Sequence, residues 1–284
     1  MRFVNYRKEG REGLAVRKGS DLLDLGSRSL VALLNEGAGA LAAAANAAVE
    51  VLDPAGIHFL PPISRPPKII CVGLNYVDHA AESPYKNVPD YPAFFPRFAS
   101  SLVGHGEAIA RPAVSEQLDF EGEVVAIVGK GGRRISRANA LDHIAGYSIF
   151  NDASIRDYQF KSPQWTVGKN FDGTGAFGPE FVTADELPKG AAGLRLETRL
   201  NGTVVQAAST SDLVFSVADL VFFASEVLTL EPGDLIVTGT PAGVGFARKP
   251  PLFMKDGDVC EVEVEGLGIL RNPIKDEARV SAAA

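Results

Sequence analysis

The sequence has only two cysteines and no long apolar segment. These features argue against a disulfide-stabilised protein and against one that spans a membrane. Cys71 and Cys260 are the only cysteines among 284 residues, too few for a disulfide framework. Both lie in apolar, strand-like runs, which favours buried and unreactive thiols. No stretch approaches roughly 18 uninterrupted apolar residues, and the first residues contain no apolar signal core. We therefore expect a cytoplasmic protein without a transmembrane segment.

Basic residues are in the minority. The chain has 28 Lys and Arg against 35 Asp and Glu, a formal net charge of −7, so neither nucleic acid nor an anionic membrane would be attracted over the whole surface. Hydrophobic residues make up 46 % and charged residues 22 %, as in ordinary globular proteins rather than disordered ones. We predict a globular protein whose partners include neither nucleic acid nor membranes.

Proline marks one candidate boundary between domains. Residues 60–67 contain four prolines, and such a segment resists both helix and central strand, which predicts a stiff extended linker. Before it, the pattern predicts strands near 3–6 and 22–25 and an Ala-rich helix over 41–51. We place a small N-terminal domain at residues 1–61 and a larger domain that carries the chemistry at residues 62–284.

Paired carboxylates stand at the start of an apolar, β-branched run. On a strand Glu121 and Glu123 would point to the same face, and like charges held so close are costly unless a cation lies between them. Oxygen ligands suit Mg²⁺, Mn²⁺ or Ca²⁺ rather than zinc. Asp152, at the end of a strand predicted over 144–150, is placed to be a third ligand. From spacing alone, however, the solvated face of an antiparallel strand is the more common place for two such glutamates.

Other polar residues recur at helical spacing. Three positions separate His79 from Glu82, so on one helical turn the carboxylate can polarise the imidazole and create a general base; the alternative is an ordinary surface pair. Arg156 and Gln159 have the same spacing, and arginine near a metal site indicates an anionic substrate. Lys169 lies between a glycine and an asparagine and, taken in isolation, would be a surface lysine.

A glycine-bearing turn follows a predicted strand over 235–238. Glycines at 239, 243 and 245 let backbone amides approach a carboxylate or a phosphate closely. Their spacing matches neither a dinucleotide fingerprint nor a P-loop, so we assign no nucleotide. An amphipathic helix over 212–228 precedes the turn.

Together these stretches resemble the fumarylacetoacetate hydrolase family. The resemblance runs from about Lys68 to Pro273 and depends on five motifs in order. The motifs are Gly73-Leu74-Asn75-Tyr76 with His79 and Glu82; Asp119-Phe120-Glu121-Gly122-Glu123; Asn151-Asp152 with Arg156, Asp157 and Gln159; Gly168-Lys169-Asn170-Phe171-Asp172; and Thr229 to Asp234 with Gly239 to Gly245. The resemblance implies a mainly β fold with α (α+β): a mixed β-sandwich roll as catalytic domain, a small N-terminal domain, and a homodimer.

The resemblance also implies roles for single residues. Glu121, Glu123 and Asp152 would hold Mg²⁺ or Mn²⁺, with Ca²⁺ able to replace them in crystals. His79 with Glu82 would activate water, and Lys169 would orient the substrate or stabilise negative charge. The implied substrate contacts are Tyr76, Arg97, Arg156, Gln159 and Thr240. Arg97 stands where many members have a lysine, which keeps the charge but changes its reach.

The implied reaction is metal-dependent hydrolysis of a carbon–carbon bond. A small anionic keto acid, an acylpyruvate such as fumarylpyruvate or maleylpyruvate from aromatic-compound catabolism, would be cleaved to pyruvate and a carboxylic acid. The alternative is an oxaloacetate-type decarboxylase or a hydroxy-dienoate isomerase using the same metal-enolate site. The His79 and Glu82 pair, which can activate water, favours hydrolysis. A third hypothesis, of another class, is a non-catalytic protein that binds a metal or a sugar acid.

Overall fold

Strands form most of the regular structure. The computed structural model describes residues 1–37, 39–82 and 89–278. The strands are β1 (Arg2–Lys8), β2 (Arg11–Lys18), β3 (Asp21–Asp24), β4 (His58–Phe59), β5 (Ile69–Gly73), β6 (Ala93–Arg97), β7 (Leu102–Val103), β8 (Ile109–Arg111), β9 (Leu118–Asp119), β10 (Gly122–Val128), β11 (Ile144–Asp152), β12 (Ser154–Ile155), β13 (Gly175–Thr183), β14 (Arg195–Leu200), β15 (Thr203–Ser209), β16 (Leu235–Val237), β17 (Val259–Val264) and β18 (Gly268–Asp276). The helices are α1 (Leu30–Glu36), α2 (Ala40–Ala47), α3 (Val77–Glu82), α4 (Arg156–Gln159), α5 (Thr166–Lys169) and α6 (Val217–Val227).

The described strands form three sheets. The largest has eleven strands, nine of them in the order β3-β2-β1-β13-β11-β10-β16-β5-β6, with β4 beside β1 and β7 beside β13. A five-stranded sheet has the order β15-β14-β17-β18-β8, and β12 pairs with β9. This architecture confirms the predicted class, mainly β with α. Within the described residues, the helices are all too short or too polar to cross a membrane.

The central strand β10 is buried on both faces. Val124 and Ala126 belong to one hydrophobic cluster, which also contains Val262 of β17 in the five-stranded sheet. The alternate residues Val125 and Ile127 belong to a second cluster, which includes side chains of β1, β11 and α1. Because side chains alternate along a strand, this division places the five-stranded sheet on one face of the large sheet and the N-terminal helices on the other.

The N-terminal strands continue the large sheet. In β1, Arg2 lies opposite Val182 and Phe3 opposite Phe181 of β13, and the rings of Phe3 and Phe181 are 6.1 Å apart between centroids. The division into domains at residues 1–61 and 62–284 therefore stays a prediction, since the first strands share a sheet and a hydrophobic cluster with the rest.

Two predicted helices are shorter than their patterns indicated. Helix α6 begins at Val217 and not at residue 212, because Ser216 forms a capping box with Asp219: Ser216 Oγ accepts from the Asp219 N–H at 3.3 Å, and Asp219 Oδ2 accepts from the Ser216 N–H at 3.1 Å. The Ala-rich helix ends at Ala47, because the chain beyond it is extended and Val51 makes a β-bridge with Leu23.

One edge of the large sheet collects the polar motifs. Strands β16 and β5 run parallel, with Leu235 opposite Ile69, so both end at the same edge. Strand β10 is antiparallel to β16 and to β11, and Gly122 at its start lies opposite Asn151 near the end of β11. The residues after β5 and β16, before β10 and at the end of β11 therefore meet, although they are far apart in sequence.

Candidate active site

Three carboxylates meet at this edge. Glu121 immediately precedes β10, Glu123 is its second residue and Asp152 ends β11, and one oxygen from each lies within 4.8 Å of the others. The three residues are at most 4 % exposed. The structure thus brings together the three predicted metal ligands, in a buried cluster made only of oxygen donors.

Two of the three carboxylates already have cationic partners. Lys169 Nζ lies 2.6 Å from Glu121 Oε2 and 2.6 Å from Asp152 Oδ2. Arg156 Nη1 lies 2.7 Å from Glu121 Oε1, and Arg97 Nη1 lies 2.5 Å from Asp152 Oδ1. Within residues 1–37, 39–82 and 89–278, Glu123 makes no ion pair; its Oε2 accepts from the Gly239 N–H at 2.5 Å.

This difference in cationic partners shifts the pKa values of Glu121 and Glu123 in opposite directions. Burial by itself would raise the pKa of Glu121, but the charges of Lys169 and Arg156 outweigh it and lower that pKa to about 2. Burial, together with repulsion from Asp152 and Glu121, raises the pKa of Glu123 well above its usual value. Of the three carboxylates, Glu123 is thus the one whose charged form a further cation would stabilise most.

The charges of the cluster indicate which cation fits. Within the described residues, four carboxylates face three cations, so the buried centre carries one net negative charge when all four carboxylates are ionised. A hard divalent cation reverses that sign and matches the all-oxygen donor set. The residues present therefore fit Mg²⁺ or Mn²⁺. The members of this charge cluster are Asp119, Glu121, Glu123, Asp152, Arg97, Arg156 and Lys169.

His79 and Glu82 form the predicted pair on helix α3. His79 Nδ1 lies 2.9 Å from Glu82 Oε1, and the two Glu82 oxygens accept from the Gly243 N–H at 3.1 and 3.0 Å. Gly243 has φ +103°, and a Cβ there would lie 2.3 Å from the Val205 carbonyl oxygen, so the turn requires glycine. Because Nδ1 is engaged by Glu82, Nε2 of the histidine is left for chemistry in the cleft that His79 lines.

Arg156 and Gln159 lie beside the carboxylates on helix α4. Arg156 Nη1 donates to Gln159 Oε1 at 2.8 Å and Arg156 Nε donates to Asp119 Oδ2 at 2.8 Å. Arg156 Nη2 is buried and has no hydrogen-bond partner among the described atoms. An unpaired buried donor at a cleft is a place where a substrate oxygen would bind.

Asp119 is a site residue that the sequence analysis did not select. Its carboxylate also accepts from the backbone N–H groups of Gly245, at 2.7 Å, and Phe246, at 3.0 Å. Asp119 thereby joins the arginine to the glycine-bearing turn. Its position two residues before Glu121, in the same alternating motif, was the signal that could have identified it.

The other predicted substrate contacts separate into two groups. Thr240 lines the cleft, where its Oγ1 accepts from Gln206 Nε2 at 2.8 Å. Tyr76 instead lines a separate cavity beside Asp212. Arg97 is 2 % exposed and lies behind Asp152, where Nη2 donates to Thr174 Oγ1 at 2.8 Å and Nε to a serine hydroxyl at 3.2 Å. The placement of Tyr76 and Arg97 therefore differs from that expected of direct substrate contacts.

Comparison with known proteins identifies the family. Residues 68–275 match the family described as fumarylacetoacetate (FAA) hydrolase C-terminal. The chain belongs to this family. The resemblance seen in the five sequence motifs is thereby confirmed.

Several relatives carry more specific names. "Oxaloacetate tautomerase fahd2, mitochondrial" from Xenopus laevis is 39 % identical over 289 residues, covering 96 % of this chain and 90 % of that protein. The solved structure of a fumarylacetoacetate hydrolase from psychrophilic Exiguobacterium antarcticum has a TM-score of 0.86 at 36 % identity, covering 98 % of this chain and 100 % of that chain. That of a 2-hydroxyhepta-2,4-diene-1,7-dioate isomerase from Mycobacterium marinum has a TM-score of 0.77 at 32 % identity, with the same coverage.

These names bear on two expectations. They agree better with the alternative reaction, keto-acid or isomerase chemistry at a metal site, than with acylpyruvate hydrolysis. Because the Xenopus relative is named as mitochondrial, the cytoplasmic location stays a prediction.

Proposed function

We propose that this chain catalyses keto–enol tautomerisation of a short 2-oxo dicarboxylic acid of the oxaloacetate type. The observation that carries the proposal is one cleft lined by His79, Lys169 and Arg156 together with two of the carboxylates, Glu121 and Glu123. It joins a proton acceptor, a positive charge for an enolate oxygen and an unpaired donor for a carboxylate. The name of the 39 % identical Xenopus relative supports the choice of reaction.

The chain's own residues can perform the proton transfer. Arg156 Nη2, with Gln159 beside it, binds one substrate carboxylate. His79 Nε2 takes a proton from the carbon next to the keto group, and Glu82 stabilises the imidazolium that forms. Lys169 Nζ stabilises the negative charge that develops on the keto oxygen. His79 then returns the proton to that oxygen, or to the carbon in the reverse direction, so no water is consumed.

A divalent cation would assist from the carboxylate side of the cleft. Glu121, Glu123 and Asp152 would hold it, and it would supply positive charge beside the oxygens of the 2-oxo acid. Burial would lower the pKa of Lys169, but Asp152 and Glu121 outweigh it and raise that pKa, so the lysine stays a cation rather than a base.

The test is a parallel product analysis. Protein loaded with Mg²⁺ is given enol-oxaloacetate, fumarylpyruvate and acetylpyruvate, with a chelated control, while enol absorbance, pyruvate, released acid and CO₂ are followed. Loss of the enol signal without pyruvate, abolished by the chelator, would support the proposal. Pyruvate with fumarate or acetate would instead establish hydrolysis, and pyruvate with CO₂ would establish decarboxylation.

Substitution of the proposed base provides a second test. We expect His79→Ala to slow enol conversion by about 10²- to 10⁴-fold, because general acid–base catalysis contributes that much. His58→Ala is the matched control, since His58 is exposed and does not line the cleft. Full turnover by the metal-loaded His79→Ala protein would refute the role of the imidazole.

A further inference from the structure

Two aromatic pairs line the same cleft as the polar groups. In one pair the Trp165 and Phe95 rings meet edge to face, with centroids 5.6 Å apart. In the other, Phe160 and Phe246 meet at 5.6 Å. All four side chains line the cleft. Substrate atoms that extend beyond the charged groups therefore meet aromatic surface.

Trp165 is held against bare backbone at the end of β5. A Cβ on Gly73 would lie 2.2 Å from Trp165 Cζ3 and 2.8 Å from Cη2, so the ring can occupy this position only because residue 73 is glycine. Trp165 also directly precedes α5, the helical turn that carries Lys169. The indole is thus fixed at both of its sides, by the Gly73 backbone and by the Phe95 ring.

The cleft provides little positive charge for the distal carboxylate of a long substrate. Among the described residues that line it, the permanent cations are Arg156 and Lys169. The lysine is engaged by two carboxylates, whereas Arg156 Nη2 has no partner. A second substrate carboxylate can therefore be bound at Arg156, close to the carboxylate cluster, but a carboxylate several carbons away would face the aromatic pairs.

We propose that Trp165, seated on Gly73, is a specificity-determining residue that limits the length of the substrate. Oxaloacetate, with four carbons, lies within the limit, and 2-oxo diacids extended by further methylenes are rejected because their distal carboxylates meet the indole. This length limit rests on the proposed function for the class of substrate. The length limit is, however, a property of the cleft wall, so binding affinities can measure it without any turnover.

The experiment is calorimetric titration of the Mg²⁺-loaded protein with oxalate, 2-oxoglutarate and 2-oxoadipate. We expect the wild-type affinity to fall along this series. In Trp165→Ala, 2-oxoadipate should bind about tenfold more tightly than it binds the wild type, while the affinity for oxalate stays within about twofold, because an extra methylene discriminates by about tenfold or more in an apolar pocket. Trp165→Phe should give a smaller change in the same direction, which keeps the test available if the alanine variant does not fold.

The controls separate this inference from the proposed function. Phe98→Ala should leave the affinity series unchanged, since Phe98 is 53 % exposed and does not line the cleft. An unchanged ratio of oxalate to 2-oxoadipate affinity in folded Trp165 variants, a parallel loss for all ligands, or no oxalate binding by the wild type would overturn the length limit. If the wild type discriminates by length but does not tautomerise oxaloacetate, the proposed function fails and the length limit stands.

Discussion

Glu121 and Glu123, the two glutamates proposed as metal ligands, have opposite effects on the stability of the metal-free protein. The pKa of Glu123 is raised above its unfolded value of 4.5 by burial and by its acidic neighbours. The folded state then binds more protons than the unfolded state, and stability falls as the pH rises from 4.5 towards the raised pKa. Glu121 behaves in the opposite way, because its pKa is lowered to about 2: its contribution is present above pH 4.5 and is lost as the pH falls towards 2.

The corresponding amides should separate these effects. At neutral pH in chelator we expect Glu123→Gln to raise the melting temperature, because it replaces a buried carboxyl group that has no cationic partner and whose ionisation is opposed by its acidic neighbours. Glu121→Gln should lower the free energy of unfolding by about 3 kcal/mol, since it leaves Lys169 and Arg156 with less compensating charge. Thermal scans from acid to neutral pH provide the measurement. Shifts of the same sign in both variants would contradict the assignment.

Arg97 should act on stability and not on substrate choice. Its guanidinium fills the space beside Gly175, where a Cβ would lie 2.8 Å from Nη2, and it contacts Asp152 from behind. We expect Arg97→Lys to cost about 1 to 3 kcal/mol, because buried hydrogen-bonding groups lose partners, while the ratio of kcat/KM between mono- and diacidic keto acids stays unchanged. Denaturant unfolding measures the loss of stability, and kinetics with the two kinds of keto acid measure the ratio. An altered ratio would indicate that Arg97 contacts the substrate.

Among the secondary-structure elements, the short helix α5 should be sensitive to a single methyl group. A Cβ on Gly168 would lie 2.4 Å from the Gln159 backbone nitrogen, so Gly168→Ala must separate α5 from α4 and move Lys169 relative to Gln159. We expect kcat to fall by about 10²-fold, since misplacement by about 1 Å has that effect. Val167→Ala, at a 54 % exposed neighbour, is the control and should retain normal kcat. Equal activity in the two variants would show that α4 and α5 need not touch for catalysis.

The accuracy of the sequence prediction varied between elements for physical reasons. The alternation around Glu123 and the spacing of His79 and Glu82 are local patterns, and β10 and α3 follow them. Helix α6 was predicted five residues too long at its start because apolar periodicity continues through Leu213, whereas the capping box at Ser216 decides where the helix begins. Lys169, alone a surface residue by composition, is buried because its ammonium meets two carboxylates from distant strands.

For the whole molecule, the net charge of the buried centre predicts stabilisation by metal. A cation that binds only the folded state stabilises it by RT ln(1 + [L]/Kd), about 2.7 kcal/mol at a hundredfold excess over Kd. We therefore expect Mg²⁺ or Mn²⁺ to raise the melting temperature and EDTA to reverse the change. The Glu123→Gln protein, which lacks one of the three proposed ligands, should show a much smaller increase in melting temperature. An identical increase in that variant would place the bound ion elsewhere.

The arrangement of the sheets was beyond prediction from local pattern. The sequence indicates individual strands, but nothing near Phe3 indicates that β1 lies beside β13, or that Arg97 at the end of β6 reaches Asp152 in β11. Such contacts depend on the order of strands, which is set by packing over the whole chain. The predicted fold depended on the resemblance of the five motifs to the family, whereas the carboxylate cluster was already indicated by the local strand pattern of Glu121 and Glu123 and by the position of Asp152 at a strand end.

The strand order also determines when the site can assemble during folding. Strand β1 must wait for β13, and the amide groups of Gly239, Gly245 and Phe246, which hold Glu123 and Asp119, come late in the chain. Pairing between such distant segments makes folding slow, and it leaves strand edges open to aggregation until the partners arrive. Glu121, Glu123 and Asp152 are thus synthesised well before the segment that supports them, so we expect the proposed metal site to be complete only after residues 239–246 have been synthesised and packed.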